Sequence, residues 1–387
     1  MAVVHVQSPR LWTDNDRWVW SSGSSCAADF GEGDCLSWAV DCPLFSEKWS
    51  GDLRRRVSLA PLTTLGVGGP AAVIARPQSL KELIELVKIL DRRGCPRRVM
   101  GRGSNVLVAD RGYAGVVILM ERGLGRITRL AGKNDLIPVD PVSEEKRDGE
   151  QRSVVKEQRS MGRGQGVKAG GELHLVRVEA GCSLATLLGW ALKEGLGGLE
   201  FLVGIPARVG GAVMMNAGAW GESLSDKVHS LAIVSDGRLR LASRDEVCFS
   251  YRRLQGLLAR EVVGAVSLVL TARDPAEIRT TMRRLLKKRR TTQPRGVASA
   301  GSFFKNPPGD FAGRLIEQAG LKGARVGGAE VSPVHANFLV NLGKRGEQGG
   351  ACAADLLALM ELVQEKVRAR SGVELEPEVH FLGFEQP

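Results

Sequence analysis

Residues 198–221 read "GLEFLVGIPARVGGAVMMNAGAWG" and form one of four glycine-rich segments in the 387-residue chain. The other three are TTLGVGGPA (63–71), GRGSN (101–105) and RVGGAEVSPVHANFLVN (325–341). Glycine has no side chain and tolerates positive φ, so each segment allows the backbone to approach a ligand closely. Successive N–H groups in such turns form concave anion sites. A single cluster is more often only a tight turn, but four of them indicate that loops hold a large phosphate-bearing ligand.

None of these segments has the form of the dinucleotide-binding fingerprint G-x-G-x-x-G, which follows a strand and opens a helix. GVGGPA (66–71) is short and no helix follows it at once, while GRGSN leads into a predicted strand. The sequence therefore disfavours a Rossmann nucleotide site and favours a ligand held by loops.

The composition is that of an ordinary globular protein, with 43% hydrophobic and 25% charged residues. The length suffices for two or three domains. There is no run of about 18 apolar residues and no secretory signal, so we expect no membrane insertion. The seven cysteines are scattered without a C-x-x-C pair, so we expect no metal site, no disulfide framework and a cytoplasmic location. The net charge of +11 predicts an anionic partner, either nucleic acid or phosphorylated small molecules.

Residues 1–50 contain five tryptophans but no helix or strand period, and we expect residues 1–57 to form a poorly ordered N-terminal extension. Removal of residues 1–50 should leave activity intact. The first predicted helix covers SLKELIELVKILDRRG (79–94), with Ser79 and Glu82 as a capping box and Gly94 at its end. Its predicted buried stripe consists of Leu80, Leu83, Ile84 and Val87.

Residues 132–172 contain eight basic and eight acidic residues and almost no aliphatic pattern. A structureless stretch of this length is rare inside a domain, so it is predicted to be a disordered insertion in a surface loop.

Regular elements are predicted on both sides of this insertion. The predicted strands are VLVAD (106–110), GVVILM (115–120), LHLVRVEAG (173–181), VVGAVSLVLTA (262–272) and EVHFLG (378–383), and a hairpin turns at Asp236-Gly237. One helix begins at Ser183 and buries Leu184, Leu187, Leu188 and Leu192; another begins at Asp274 and Pro275; a third buries Leu356, Met360, Val363 and Val367.

Several stretches now combine into a recognisable pattern. They are TTLGVGGPA, GRGSNVLV, the 198–221 segment, YRRL (251–254), SAGSFFKNPPGDFAGRLIEQAGLKG (299–323), GGAEVSPVHANFLVN (327–341) and LEPEVHFLG (375–383). In this order they resemble the UDP-N-acetylenolpyruvoylglucosamine reductase (UDP-N-acetylmuramate dehydrogenase, MurB) family. The resemblance runs from about residue 58 to 384 and leaves out the 132–172 insertion. Each glycine motif alone is unspecific, whereas the combination is highly specific.

The resemblance implies an α+β fold, with a two-subdomain FAD-binding fold of the vanillyl-alcohol oxidase type and a C-terminal α+β substrate-binding domain. The expected limits are residues 58–120 and 121–272 for the FAD-binding subdomains and 273–387 for the substrate-binding domain. It also implies non-covalent FAD and reduction of UDP-N-acetylglucosamine enolpyruvate to UDP-N-acetylmuramate by NADPH. That reaction belongs to peptidoglycan precursor synthesis, and hence to cell wall biogenesis, cell shape and cell division.

The family motifs carry catalytic roles onto three residues. Ser302 in GSFF matches the general acid that protonates the carboxylate-bearing carbon. Arg252 in SYRRL matches the arginine that holds the substrate carboxylate, with the neighbouring Arg253 as a rival. Glu378 in PEVHF matches the catalytic glutamate.

A serine hydroxyl is a weak acid in water, so Ser302 needs help from its surroundings. We expect Phe303 and Phe304 to provide dry walls around it and Lys305 to provide positive charge.

The resemblance also assigns contacts with the cofactor and the substrate. For FAD they fall on Gly66, Gly68, Gly69, Gly101, Arg102, Gly103, Ser104, Asn105, Gly204, Ile205, Gly211, Asn216 and Gly218. For the substrate they fall on Tyr251, Lys305, Asn306 and Arg290. The chain departs from the family pattern at Arg102 and at Ala207-Arg208, and neither departure removes a required group. The short spacing between YRRL and GSFF suggests the compact family subtype that lacks a substrate-capping tyrosine loop.

Two other interpretations stay open. A different flavin oxidase on the same architecture would often attach FAD covalently, but no histidine lies in 63–71 or 101–105, and GSFFKNPPG favours the enolpyruvyl reductase. A nucleic-acid-binding protein would use MRRLLKKRRTTQPR (282–295) to neutralise phosphates. That run ends a helix, where cations are favourable anyway, and no aromatic stacking platform accompanies it. We therefore expect no nucleic-acid partner and no obligate protein partner.

Overall fold

The computed structural model describes residues 42–47, 49–130, 171–343 and 350–384. We expect disorder in the N-terminal extension and in the insertion. Residues 1–41 and 132–170, on which this prediction falls, lie outside the described ranges. Within the described ranges, no helix combines the length and the apolar character needed to cross a membrane.

The described residues contain both helices and strands throughout. The α-helices are α1 (Pro43–Ser46), α2 (Leu80–Arg92), α3 (Leu184–Lys193), α4 (Val209–Met214), α5 (Pro275–Thr292), α6 (Ala312–Gln318) and α7 (Ala353–Ser371). The first ten strands are β1 (Asp52–Ser58), β2 (Pro70–Arg76), β3 (Arg97–Met100), β4 (Val106–Val108), β5 (Tyr113–Leu119), β6 (Ile127–Arg129), β7 (Leu173–Glu179), β8 (Leu196–Gly197), β9 (Gly218–Ala219) and β10 (Glu222–Ser223). The others are β11 (Val228–Ser235), β12 (Arg238–Ser243), β13 (Cys248–Ser250), β14 (Arg253–Gln255), β15 (Val262–Ala272), β16 (Ala298–Ser299), β17 (Arg325–Val326), β18 (Ala329–Val331), β19 (Leu339–Asn341) and β20 (His380–Leu382).

The first sheet has the strand order β1-β2-β5-β3. β1 pairs antiparallel with β2, and β5 lies parallel between β2 and β3. α2 covers one face of this sheet with Leu83, Leu86, Val87 and Leu90. The opposite face closes a smaller core to which Leu382, from the last strand, contributes. The sheet is therefore buried on both faces.

The N-terminus of α2 is capped in part as predicted. The Ser79 hydroxyl accepts the N–H of Glu82 at 3.1 Å, whereas the Glu82 carboxylate accepts the N–H of Gln78 at 2.8 Å and not that of Ser79. The buried stripe of α2 is also rotated around the helix relative to the predicted one. Leu80 and Ile84 are only half-buried, because the sheet contacts the adjacent face of the helix.

The second sheet has the order β12-β11-β15-β7-β6, with all neighbours antiparallel, and β8 pairs with the end of β15. The predicted hairpin is confirmed: Asp236 and Gly237 connect β11 to β12 with φ of 50° and 69°, as a type I′ turn requires. α3 begins at Ser183 as predicted, but Ala191 replaces Leu192 on its buried side.

α5 packs against this second core and not against the C-terminal residues. It begins at Asp274 and Pro275 as predicted. Its Leu285 is buried in the core of the second sheet, and Met282 and Leu286 pack against the same core. The expected domain limit at 272/273 therefore falls inside one packing unit, because an amphipathic helix belongs to the core that its apolar face contacts.

The third core lies in the C-terminal residues. The sheet β16-β19-β18-β17 packs with α6 and α7, and α7 buries Leu356, Met360, Val363 and Val367 as predicted. The last strand, β20, leaves this unit and pairs parallel with β4 of the first.

Two polar side chains connect the C-terminal unit to the first. The Asp110 carboxylate accepts the N–H groups of Ala353 at 2.9 Å and Ala354 at 3.0 Å, and so caps the N-terminus of α7. The Asn341 amide donates to the carbonyl of Leu65 at 3.0 Å.

The fold begins before residue 58. Cys42, Leu44 and Trp49 are buried in the core under α2, and the Trp49 indole N–H donates to the carbonyl of Glu82 at 3.1 Å. Residues 52–58 form β1, which completes an edge of the first sheet. The expected poor order does not hold for residues 42–57, apart from residue 48, which is outside the described ranges. Removal of residues 1–50 would take Cys42, Leu44 and Trp49 out of this core, and its effect on activity stays a prediction.

Trp49→Ala is expected to lower the free energy of unfolding by about 3 kcal/mol, because it removes a large ring from a packed core. A chain that begins at residue 51 should lose the same contact. Urea unfolding followed by circular dichroism measures the change. The matched control is Leu173→Ala, at a side chain that is 63% exposed. Equal midpoints for the two variants would show that Trp49 is not part of the stabilising core.

Candidate active site

The first two glycine-rich loops contact each other. The Thr64 N–H donates to the carbonyl of Gly103 at 3.0 Å. Within the first loop, the Thr63 hydroxyl accepts the N–H of Gly66 at 3.1 Å. Gly66, Gly68 and Gly103 have φ of 71°, 121° and 60°, in the region that favours glycine. A Cβ on Gly103 would lie 2.4 Å from the carbonyl oxygen of Leu62, so only glycine allows this approach.

The loop of residues 101–105 has backbone N–H groups that make no hydrogen bond with any other residue that the structure describes. Gly103 is buried, and a buried N–H group normally has a partner. Ser104 is half-buried in the loop, and Arg102 is exposed and adds positive charge. Such a row of donors fits the diphosphate of a bound dinucleotide.

The 204–218 segment lies beside this loop. A Cβ on Gly101 would lie 3.0 Å from Cβ of Arg208, while a Cβ on Gly211 would meet nothing within 4 Å. The space over Gly211 is therefore open to a ligand. Gly204 has φ of 81°, Ile205 packs against the second core, and Gly69 is held by its N–H bond to the carbonyl of Ala109 at 2.9 Å.

The two asparagines assigned to the cofactor use their side chains to fix loops. The Asn216 amide donates to the carbonyl of Ser250 at 3.1 Å and accepts the N–H of Ser225 at 3.0 Å. The Asn105 amide donates to the carbonyl of Glu378 at 3.0 Å. Both therefore connect a glycine-rich segment to the neighbourhood of an expected catalytic residue.

Arg252 and Glu378 form an ion pair, with Nε and Oε1 3.0 Å apart. Arg252 also donates from Nη1 to the carbonyl of Gly218 at 3.1 Å, and its φ of 58° is unusual for a residue with a long side chain. Burial raises the pKa of Glu378, and the charges of Arg252 and Lys305 lower it in part. The structure thus brings two of the expected catalytic residues together.

Ser302 lies on the segment next to Glu378. The N–H of Glu378 donates to the carbonyl of Phe303 at 2.8 Å, and the N–H of Lys305 donates to the carbonyl of Glu376 at 2.8 Å. Ser302 is half-buried, and Gly301 before it has φ of 81°.

Phe303 and Phe304 do not line the site. Both rings are fully buried in the C-terminal core, with centroids 5.5 Å apart. The expectation that they form dry walls around Ser302 is therefore wrong. The two buried rings anchor this segment in the C-terminal core. The Phe303 N–H also donates to the carbonyl of Asn337 at 2.8 Å.

The four residues assigned to the substrate are differently placed. Tyr251 is 54% exposed, with its ring 5.3 Å from the Arg252 guanidinium carbon. Lys305 forms an ion pair with Glu376 at 2.9 Å. Asn306 is exposed, but its side-chain oxygen Oδ1 accepts the N–H of Ala312 at 3.1 Å. Arg290 is exposed on α5, and it is Arg289 that reaches the 198–221 segment, where its Nε donates to the carbonyl of Val203 at 3.1 Å.

His380 and Met215 lie beside Asn105 and were not predicted from the sequence as site residues. His380 Nε2 lies 3.0 Å from the sulfur of Met215, and the Asn105 amide lies 3.6 Å from the same sulfur. The imidazole keeps contact with solvent, yet the surrounding protein lowers the pKa of His380, and the positive charges nearby lower it further. The two-residue period of a strand could have indicated His380, because residues 378 and 380 point to the same side of an extended segment.

Comparison with known proteins first defines the class. A family model described as "FAD binding domain" matches residues 70–141 and 149–241. A second, described as "UDP-N-acetylenolpyruvoylglucosamine reductase, C-terminal domain", matches residues 293–382 and begins directly after α5. With the donor-rich loops and the Arg252–Glu378 pair, these matches define an FAD-dependent oxidoreductase of α+β fold.

Individual relatives identify the family. The chain is 40% identical over 336 residues to UDP-N-acetylenolpyruvoylglucosamine reductase 2 of Symbiobacterium thermophilum, covering 86% of this chain and 93% of that protein. It is 38% identical over 335 residues to the reductase of Geotalea uraniireducens, covering 87% and 95%. The crystal structure of the Thermus caldophilus enzyme superposes with a TM-score of 0.62 at 35% identity, over 86% of this chain and all of the other. The chain belongs to the UDP-N-acetylenolpyruvoylglucosamine reductase family.

Gly103→Ala is expected to weaken flavin binding, because the new Cβ would push the 101–105 loop away from Leu62. The matched control is Gly94→Ala, since Gly94 has nearly the same φ, 61°, but nothing within 4 Å of its Cβ position. The ratio of flavin to protein absorbance after purification, followed by titration with FAD, measures the difference. Equal flavin content in the two variants would exclude the loop from the cofactor site.

Proposed function

We propose that the chain reduces UDP-N-acetylglucosamine enolpyruvate to UDP-N-acetylmuramate with NADPH, as a cytoplasmic step of peptidoglycan precursor synthesis. The observation that carries this proposal is the Arg252–Glu378 ion pair beside Ser302 and the donor-rich loop. An arginine held by a carboxylate, next to a hydroxyl donor, suits a substrate that carries a carboxylate and must receive a proton.

The glycine-rich loops fit the cofactor. Backbone N–H groups of residues 101–105 would hold its diphosphate, and the 66–69 and 204–218 segments would allow close approach, with Arg102 adding charge. Bound there, FAD would supply hydride transfer from NADPH to the methylene carbon of the enol ether.

Arg252 would hold the substrate carboxylate. Its guanidinium is planar and charged at all relevant pH, and it can bind a carboxylate at two points. Glu378 and the carbonyl of Gly218 each engage one of its nitrogens, so the fork is fixed in direction before the substrate arrives. The glutamate thereby orients the arginine that stabilises the developing negative charge.

Ser302 would protonate the carbon next to the carboxylate. The hydrogen bonds between residues 303–305 and 376–378 fix its backbone, and the buried Phe303 and Phe304 anchor the segment in the C-terminal core. Tyr251, Lys305, Asn306 and Arg290 remain candidates for contact with the rest of the substrate.

The three cores support a modified domain organisation. The first FAD-binding unit would begin near residue 42, the second would extend through α5 to residue 292, and the substrate-binding unit would begin near 293. The packing of α5 on the second core supports this division.

An anaerobic titration tests the function. The protein is loaded with FAD, reduced with one equivalent of NADPH, and then mixed with UDP-N-acetylglucosamine enolpyruvate. The absorbance of oxidised flavin should disappear in the first step and return in the second. A flavin that is reduced but ignores the enol ether would assign the chain to a different oxidoreductase activity.

Ser302→Ala is expected to leave reduction of the flavin by NADPH intact and to slow its reoxidation by the enol ether about 10²–10⁴-fold, because the general acid is removed. Single-turnover absorbance traces separate the two steps. The matched control is Ser299→Ala, which removes a hydroxyl from β16 three residues away. Reoxidation of Ser302→Ala at the wild-type rate would disprove the role of Ser302.

A further inference from the structure

Ser302 lies on a short arch, residues 300–302, between two points at which the chain is hydrogen-bonded. Before the arch, β16 pairs with β19. After it, the Phe303 N–H donates to the carbonyl of Asn337 at 2.8 Å. Within the arch, Gly301 has φ of 81°, in the region that favours glycine. A local departure from strand pairing redirects a side chain, and such departures are frequent next to active sites.

The hydroxyl of Ser302 takes its place from the backbone of this arch. Ser302 is half-buried, and among the residues that the structure describes its hydroxyl has no hydrogen-bond partner. No hydrogen bond of the side chain can therefore correct a shift of the backbone. The position of the hydroxyl relative to a substrate depends on how firmly the two ends of the arch are held.

Asn337 holds the second end of the arch with its side chain as well as with its backbone. Its Oδ1 accepts the N–H of Phe304 at 2.9 Å, and its Nδ2 donates to the carbonyl of Phe304 at 2.8 Å. Two residues that face each other in an antiparallel sheet exchange the same two kinds of bond. The side-chain amide therefore extends the pairing of this segment by one peptide group.

The hydrogen bonds of Asn337 are buried and complete. Asn337 is 3% exposed, and Phe304 is fully buried. The N–H of Asn337 donates to Nδ1 of His335 at 3.2 Å, so both the backbone and the amide of Asn337 use their donors and acceptors. A buried polar network in which every group has a partner specifies one geometry, and a buried peptide group that loses its partner costs free energy. A change at the amide is thus expected to move residues 303 and 304.

The same segment is bonded to the candidate site on its other side. The carbonyl of Phe303 accepts the N–H of Glu378 at 2.8 Å, while Asn337 holds the N–H and the carbonyl of Phe304. Phe303 and Phe304 therefore lie between the backbone of Glu378 and the amide of Asn337. A shift of the two residues would change the place of the Ser302 hydroxyl relative to the Glu378 carboxylate.

We propose that Asn337 is a positioning residue for Ser302, and that its buried amide fixes the arch in the orientation from which the hydroxyl donates its proton. The inference rests on the proposed function, because it takes Ser302 as the general acid. It gives the 325–341 segment a part in the reaction that is exerted through the backbone of residues 303 and 304.

Asn337→Asp tests the proposal with little change in side-chain volume. The new carboxylate can still accept the N–H of Phe304 but cannot donate to its carbonyl. In single-turnover traces of the FAD-loaded full chain, reduction of the flavin by NADPH should keep its rate. Reoxidation at a saturating concentration of the enol ether should slow about 10- to 100-fold, because a misplacement of about 1 Å can cost two orders of magnitude. The concentration of enol ether that gives half the maximal rate should change little.

A double variant separates positioning from a general loss of stability. If Asn337 acts through Ser302, Asn337→Asp should add no further slowing of reoxidation to that of Ser302→Ala. Slowing that multiplies in the double variant would show that Asn337 acts elsewhere and would overturn the proposal.

The matched control is Glu330→Gln, which exchanges a carboxylate and an amide at another buried position of the same sheet, where the partner is Arg325. It should lower the melting temperature without slowing reoxidation. Equal slowing in Glu330→Gln and Asn337→Asp would reduce the effect to one of stability and overturn the positioning role.

Asn337→Ser is the second variant if Asn337→Asp does not fold, because it places no charge in the core and leaves space for a water molecule. It should slow reoxidation in the same way. Reoxidation of the folded variant at the wild-type rate would overturn the positioning role while the proposed function stands, since wild-type reoxidation is measured in the same experiment. A wild-type flavin that the enol ether does not reoxidise would overturn the proposed function, and the positioning role with it.

Discussion

The active site depends on the hydrogen bonding of residues 376–382 on both sides. On one side, the Glu378 N–H donates to the carbonyl of Phe303, and the carbonyl of Glu376 accepts the N–H of Lys305. On the other, β20 pairs parallel with β4, and the His380 N–H donates to the carbonyl of Asn105 at 3.0 Å. This single extended segment therefore joins the hydroxyl of Ser302, the carboxylate of Glu378 and the loop of residues 101–105. Without it, the three would belong to separate units.

Charge in the site is arranged for an anionic ligand. Glu378 is buried beside Arg252, so desolvation and the nearby cation act on its pKa in opposite directions. A second carboxylate brought by the substrate would compete for the same guanidinium and disfavour the charged form of Glu378. Binding of the substrate would then favour protonation of Glu378. One ion pair can thus hold the arginine in place before binding and adjust its own charge afterwards.

The sequence predicted the elements that are encoded locally and missed those that depend on distant contacts. The β11–β12 hairpin and the start of α5 follow from residues at the turn and at the cap, so they were found. The place of Trp49 in the core, and the packing of Phe303 away from the site, depend on partners far along the chain. Which of Arg289 and Arg290 contacts the 198–221 segment also depends on the rotation of α5 against its core, whereas the predicted role of Arg290 stays a prediction. Motif order predicted Arg252, Glu378 and Ser302 as site residues but gave no distances between them.

The cap that Asp110 provides for α7 has a consequence for the order of folding. It joins residues 243 positions apart, and contacts of such separation form late because a long loop must first be closed. The first sheet depends mainly on contacts within a few tens of residues, so it can form early. The Glu378 carboxylate reaches Arg252 only when the C-terminal unit docks. The ion pair of the candidate site is therefore completed only after the first sheet has formed.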